Sequence, residues 1–167
     1  MTGIADVHPA FRALYEREFP SVFRAAFLLS GDRPLAEEAT QEAFARALTR
    51  WGRIGSQPWV AGWVTTTAMN VARRQLRRRP EPTLDVAPLP DHVEALNVRS
   101  AVRNLPVRQQ EAVVLHYLLD LPVAETAATM GCDEGTVKTH LSRARFALGR
   151  ALTLDEGSEP RRRSDHG

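Results

Sequence analysis

The residues best equipped for chemistry are cations set among small hydroxyls and aromatic rings. In "MGCDEGTVKTHLSRARFALGRAL", residues 130–152, Thr136, Lys138, Thr139, Ser142 and Arg143 fall on one side of a helical pattern. Small hydroxyls allow close approach to a surface, and Lys and Arg reach bases or phosphates. The same residues would also suit a solvated face beside an ordinary helical hairpin. A second group is Arg73, Arg74, Arg77, Arg78 and Arg79. Arg73/Arg77 and Arg74/Arg78 are like charges at i,i+4, which repel unless a polyanion or acids relieve them. Trp51, Trp59 and Trp63 lie just upstream and could stack unpaired bases beside those cations, or simply pack as core. Reaction chemistry is missing from the pattern. His8, His92, His116, His140 and His166 are scattered, with no HExxH, phosphate loop or nucleophile elbow. The chain is therefore read as no enzyme, with no catalytic residue, no cofactor and no metal site. His116 reads as a core or boundary residue.

A helix-turn-helix would position the first group. Ala127 is small where a second helix must cross, Gly131 can take a positive φ, and Val137, Leu141, Ala144 and Leu148 form an inner stripe. Lys138, Thr139, Ser142, Arg143 and Arg145 are then forced outward, where such a helix meets the major groove. Asp133 and Glu134 read as caps of its start.

The rest of the pattern is helical too. Residues 9–29 carry apolar side chains at steps of three and four, with Pro20 predicted to kink the run or start a new helix. "SGDRP" at 30–34 is a break, with Asp32 as N-cap. Leu35, Ala39, Ala43, Phe44, Leu48 and Trp51 then share one apolar face. "GRIGSQP" at 52–58 reads as a loop and Trp59 to Arg79 as a third long helix. Further helices are predicted near 93–104, 107–118, 122–130 and 134–152. The fold class is all-α: two small helical domains, residues 1–80 and 93–154, joined by a Pro-rich linker at 81–92. "PEPTLDVAPLPDH", 80–92, holds four prolines, which remove donors and disfavour helix. The tail, 155–167, is predicted to be disordered.

Charge is unevenly placed. The chain of 167 residues has a net charge of only +2, yet residues 1–80 hold 12 Arg against 7 acids. Residues 81–92 hold Glu81, Asp85 and Asp91 and no Lys or Arg. A basic body beside an acidic connector fits a polyanion partner. Cys132, the single cysteine, excludes an internal disulfide and a thiolate zinc cluster. It reads as a small buried turn residue, with a redox sensor as the other reading. The N-terminus has no secretory pattern and no apolar run approaches the ~18 residues of a membrane span, so a cytoplasmic protein without membrane insertion is expected.

Two longer stretches resemble a known family. "GDRPLAEEATQEAFARAL…W" with "PWVAGWVTTTAMNVARRQLRRR" resembles region 2 of an RNA polymerase sigma factor of the sigma-70 family. "LPVRQQEAVVLHYLLDLPVAETAATMGCDEGTVKTHLSRARFAL" resembles region 4. A short linker in place of the intervening domain is similar to the extracytoplasmic-function class, near its sigma-E-like members. The resemblance covers about residues 8–152. It implies an alternative sigma factor that binds core RNA polymerase and directs initiation by recognising −10 and −35 promoter elements. Glu38, Gln41 and Glu42 match the face that docks on the β′ clamp. Trp63, Asn70, Arg73, Arg74, Arg77 and Arg78 match the part that holds the −10 element. Thr136, Lys138, Thr139, Ser142 and Arg143 match the −35 reader. The β flap and promoter DNA are implied partners, and an anti-sigma factor is a candidate one. The loop before Pro58 is shorter and richer in glycine than the family's, so no residue in it is assigned to choosing the −10 base. The alternative is a stand-alone helix-turn-helix regulator with an N-terminal helical sensing domain. It would bind duplex as a homodimer without polymerase.

Overall fold

The computed structural model describes residues 8–78 and 93–156. Every regular element in them is helical. They are α1 (Pro9–Ser30), α2 (Arg33–Thr49), α3 (Trp51–Ile54), α4 (Val60–Arg78), α5 (Val93–Arg103), α6 (Val107–Val113), α7 (Val123–Met130) and α8 (Glu134–Glu156), with a π-helical turn at Val114–Leu118 after α6. Linker residues 81–92, Arg79 and residues 157–167 lie outside the described residues.

The first half packs α1, α2 and α4 around one core. α1 is continuous through Pro20, against the expected kink or restart. Pro20 sits on the exposed side, where water can serve the carbonyl that its ring leaves without a donor. Gly31 ends the helix, its N–H donating to the Phe27 carbonyl at 2.9 Å. Asp32 then caps α2, Oδ1 accepting from the Leu35 N–H at 2.9 Å. Ala36, Ala39, Ala43 and Ala47 are fully buried and let α1 and α4 approach closely, while Phe44 fills the space between. Leu48 was expected on this apolar face but is 42% exposed. Ala47 takes the inward position, and the next residue is turned about 100° away. The loop expected from Gly52 is in part helical. Ile54 is buried and draws Trp51–Ile54 into a turn, with Ile54 N–H donating to Arg50 O at 3.1 Å.

The second half has its own core, built from Leu105, Ala112, Leu115, Ala127, Met130, Val137, Leu141 and Ala144. Cys132 is partly buried against it in the turn before α8. His116 is half-buried with Nδ1 2.8 Å from the Leu121 carbonyl, a boundary residue as read. α8 runs through Glu156, so Asp155 and Glu156 belong to the helix and not to the predicted tail. After Gly149 no glycine or proline interrupts the sequence before Gly157.

The two halves meet along a seam that the sequence reading did not contain. Ala25, Leu29 and Met69 from the first half enclose Val114 of the second, with Leu28, Leu118 and Leu119 at the edges. α4 approaches α7 so closely that a Cβ on Gly62 would lie 2.5 Å from Thr129 Oγ1. A side chain there would push the halves apart.

Candidate nucleic-acid interface

The turn before α8 is built by two residues. Gly131 has φ 67°, a left-handed conformation that is cheap only for glycine. No atom crowds the site of its missing Cβ, so the requirement is conformational. Asp133 Oδ1 accepts from the Thr136 N–H at 2.7 Å. That bond, first among its contacts, holds the carboxyl below the usual carboxylate range. Val137, Leu141 and Ala144 are buried against α6 and α7, which fixes the rotation of the helix.

Lys138, Thr139, Ser142, Arg143 and Arg145 consequently face outward and are exposed, and Thr136 is half-buried at the helix start. The Thr139 hydroxyl donates to Gly135 O at 3.0 Å. Arg145 Nη1 donates to the Tyr117 hydroxyl at 3.0 Å. Lys138, Ser142 and Arg143 have no side-chain partner among the described residues. Two cations and a hydroxyl are thus presented on a rigid helix with no internal duty. Such a surface can pair with base edges and phosphates.

The arginines of α4 have diverse surroundings. Arg73 is the buried one, its side chain only 11% exposed. Its Nε donates to Gln110 Oε1 at 3.0 Å and its Nη1 to Asn70 Oδ1 at 2.7 Å; Glu111 Oε1 lies 3.8 Å from Nη1. Desolvation lowers its pKa, Glu111 works against that and Arg77 adds to it. Arg74 donates to Glu42 at 3.2 Å. Arg77 and Arg78 are exposed and make no ion pair among the described residues. Asn70 is exposed at the same face. Trp51, Trp59 and Trp63 are partly buried against the first core. The core reading therefore accounts for much of all three rings, while the Arg50 guanidinium stands 5.8 Å from the Trp63 ring centroid.

On α2, Glu38 accepts from Gln75 at 3.0 Å, and Glu42 accepts from both Arg46 and Arg74. Gln41 is exposed. The structure thus brings Glu38 and Glu42 together with the arginine-rich end of α4. It leaves the α8 group on a separate surface. Sequence reasoning missed Gln110 and Glu111, buried polar residues on α6 that receive Arg73. No spacing rule marks them, because the bond closes across 37 positions of sequence.

The Sigma-70 region 2 family model matches residues 14–80, and the Sigma-70 region 4 model matches residues 95–148. The chain is 34% identical over 157 residues to the ECF RNA polymerase sigma factor SigM of Mycobacterium tuberculosis, covering 89% of this chain and 80% of that protein. It belongs to the ECF RNA polymerase sigma factors. It is also 36% identical over 169 residues to the ECF sigma factor BldN of Streptomyces coelicolor, where the match takes in 92% of this chain and 63% of the relative's length. Among solved structures, the sigma factor RpoE of Bartonella quintana, in complex with the anti-sigma factor NepR, gives a TM-score of 0.68 at 23% identity, covering 87% of this chain and 98% of that one. CnrH, in complex with the cytosolic domain of CnrY, gives 0.70 at 22% identity, over 87% and 88%. At that identity these two establish the fold alone. A sigma factor is a non-enzymatic specificity subunit of RNA polymerase, so the reading as a stand-alone regulator gives way. No helix among the described residues is long and apolar enough to cross a membrane.

Proposed function

We propose that this sigma factor divides promoter-directed initiation between its halves. Residues 1–80 dock on core polymerase through Glu38, Gln41 and Glu42 of α2 and hold the −10 element with Trp63, Asn70, Arg73, Arg74, Arg77 and Arg78. Residues 93–154 read the −35 element with Thr136, Lys138, Thr139, Ser142 and Arg143 and rest on the β flap. Residues 81–92 connect the two, and the work takes place in the cytoplasm. An anti-sigma factor is a further partner in this reading, since the Bartonella sigma factor was solved with one bound. The observation that carries the assignment is the cation and hydroxyl face of α8, held outward by its buried stripe, on which Lys138, Ser142 and Arg143 have no partner among the described residues.

Arg73 adds a condition. It can meet a phosphate only after leaving Gln110 and the neighbourhood of Glu111, both on the other half. Engagement of the −10 element by Arg73 therefore requires its side chain to give up these cross-seam contacts, by a rotamer change or by parting of the halves. In vitro transcription with core polymerase on a promoter library tests the whole reading. Transcripts sharing −10 and −35 motifs are expected only when this chain is added. Motif-specific duplex binding as a homodimer, with no dependence on core, would overturn it.

A further inference from the structure

A cleft of about 300 Å³ opens between the halves, close to the seam. Arg73 and Arg77 of α4 and Arg103 at the end of α5 stand around it. Leu29, Leu76 and Leu105 supply apolar wall. Three guanidinium groups in one small space repel one another unless acid relieves them. Arg77 and Arg103 have no acid partner among the described residues, and Arg73 has only Glu111, at 3.8 Å. Arg73 Nη2 is moreover buried with no hydrogen-bond partner, a costly state for a charged donor. The volume is that of a small-molecule site, at the low end of the usual range.

We propose that this cleft binds a small amphipathic anion, with a phosphate or carboxylate head on Arg77 and Arg103 and a short apolar arm against the leucines. A guanidinium matches either head in a planar, two-bonded fashion. The head would lie on the exposed Arg77 and Arg103, one from each half, and its charge would offset the mutual repulsion of the three cations while Arg73 stays on Gln110. Because α4 and α5 come from different halves, the bound anion would hold the seam closed. The ligand would stabilise the packed arrangement by mass action. This anion site is separate from the promoter assignment above. It does share Arg77 with the proposed −10 surface, so ligand and promoter would compete for it.

The test titrates the full chain with phenyl phosphate, hexanoate and inorganic phosphate, by calorimetry and thermal melting. One molecule per chain is expected, with phenyl phosphate or hexanoate binding about tenfold more tightly than inorganic phosphate because of the buried arm. Arg103→Gln and Arg77→Gln, on opposite halves, should each weaken binding about tenfold. Both side chains are exposed, so the unliganded melting temperature should hold and a folding failure would be visible. Equal weak binding of all three probes, indifferent to both substitutions, would mean an adventitious ion only and overturn the proposal. Loss in only one of the two variants would place the anion outside the cleft and overturn it as well. Neither readout involves polymerase, so failure here leaves the promoter assignment untouched.

Discussion

On α2, Glu38 accepts a bond from Gln75, and Glu42 accepts from Arg74 and Arg46. On α8, Lys138, Ser142 and Arg143 have no such partners among the described residues. Both faces are polar surfaces of long helices, one acidic and the other basic. The difference lies in duty. The α2 acids tie their helix to α4 and so contribute to the fold, whereas Lys138, Ser142 and Arg143 on α8 make no such tie among the described residues. A docking surface with structural duties resists change. The proposed reading surface on α8 lacks such duties, so substitution there is expected to cost little stability. Substitutions on both helices are therefore paired with a thermal melt, which is expected to move for α2 and to hold for α8.

The largest effect is expected on α2. Glu42→Lys would set a third cation beside Arg46 and Arg74 and reverse a charge at the proposed clamp contact. Core binding should weaken by about 3 kcal/mol, within the range for close charge pairs at interfaces. Stability should fall by only about 0.5–1 kcal/mol, because the pairs are half-exposed. A titration of labelled core against wild type and variant, beside thermal melts, checks both. Unchanged core affinity with the expected melt would make Glu42 purely structural and break the comparison on the α2 side.

Next is Arg143→Ala on α8. The expected result is a loss of about 1–3 kcal/mol at one −35 base pair, with stability unmoved. Ser142→Ala should likewise change one position, and Lys138→Ala should lower affinity evenly across sequences as a phosphate contact does. A randomised −35 selection with each holoenzyme distinguishes these. Identical motifs from wild type, Ser142→Ala and Arg143→Ala would show that those two side chains do not read bases. The α8 face would then be as uninformative as any solvated one.

A smaller effect separates the two arginines on the outer end of α4. Arg78 has no ion pair among the described residues, while Arg74 is held by Glu42. Arg78→Gln should lower the log–log salt slope of holoenzyme–promoter binding by about 0.9 if it contacts duplex, or about 0.7 on a single strand. Arg74→Gln should lower it less, since Glu42 already neutralises that cation. Equal changes would mean that the Glu42 bond opens on DNA and that the α2 network is looser than its geometry.

These contrasts also show what the sequence could and could not disclose. The α8 face was legible because one local rule decides it: with Val137, Leu141 and Ala144 inward, the cations must point out. The Asp32 and Asp133 caps were legible for the same reason, each bond closing over three residues. Leu48 and the Trp51–Ile54 turn were misread because they depend on how much room Ala47 and Ile54 leave in the core. Arg73 was read with its neighbours as a surface cation. Its burial comes from Gln110 and Glu111, which the fold brings together across the seam and which no periodicity announces.

The smallest effect belongs to Thr139 and follows from one hydrogen position. Its hydroxyl proton is committed to Gly135 O at 3.0 Å, so the oxygen offers only lone pairs to a partner. In the major groove an acceptor can pair with the amino group of adenine or cytosine, and it repels the exposed oxygens of guanine and thymine. Thr139 should therefore favour adenine or cytosine on the strand nearest it. A neutral hydrogen bond of this kind is worth about 0.5–1.5 kcal/mol net. Thr139→Val keeps the shape and removes the oxygen, so that one preference should flatten while the rest of the −35 motif stays. Ser142 has no such commitment and can donate or accept, so its preference is not restricted in this way. If the base lost with Thr139→Val is guanine or thymine, the hydroxyl must have left Gly135 on binding. The separation drawn between committed and uncommitted groups would then hold for the free protein and not for its complex with DNA.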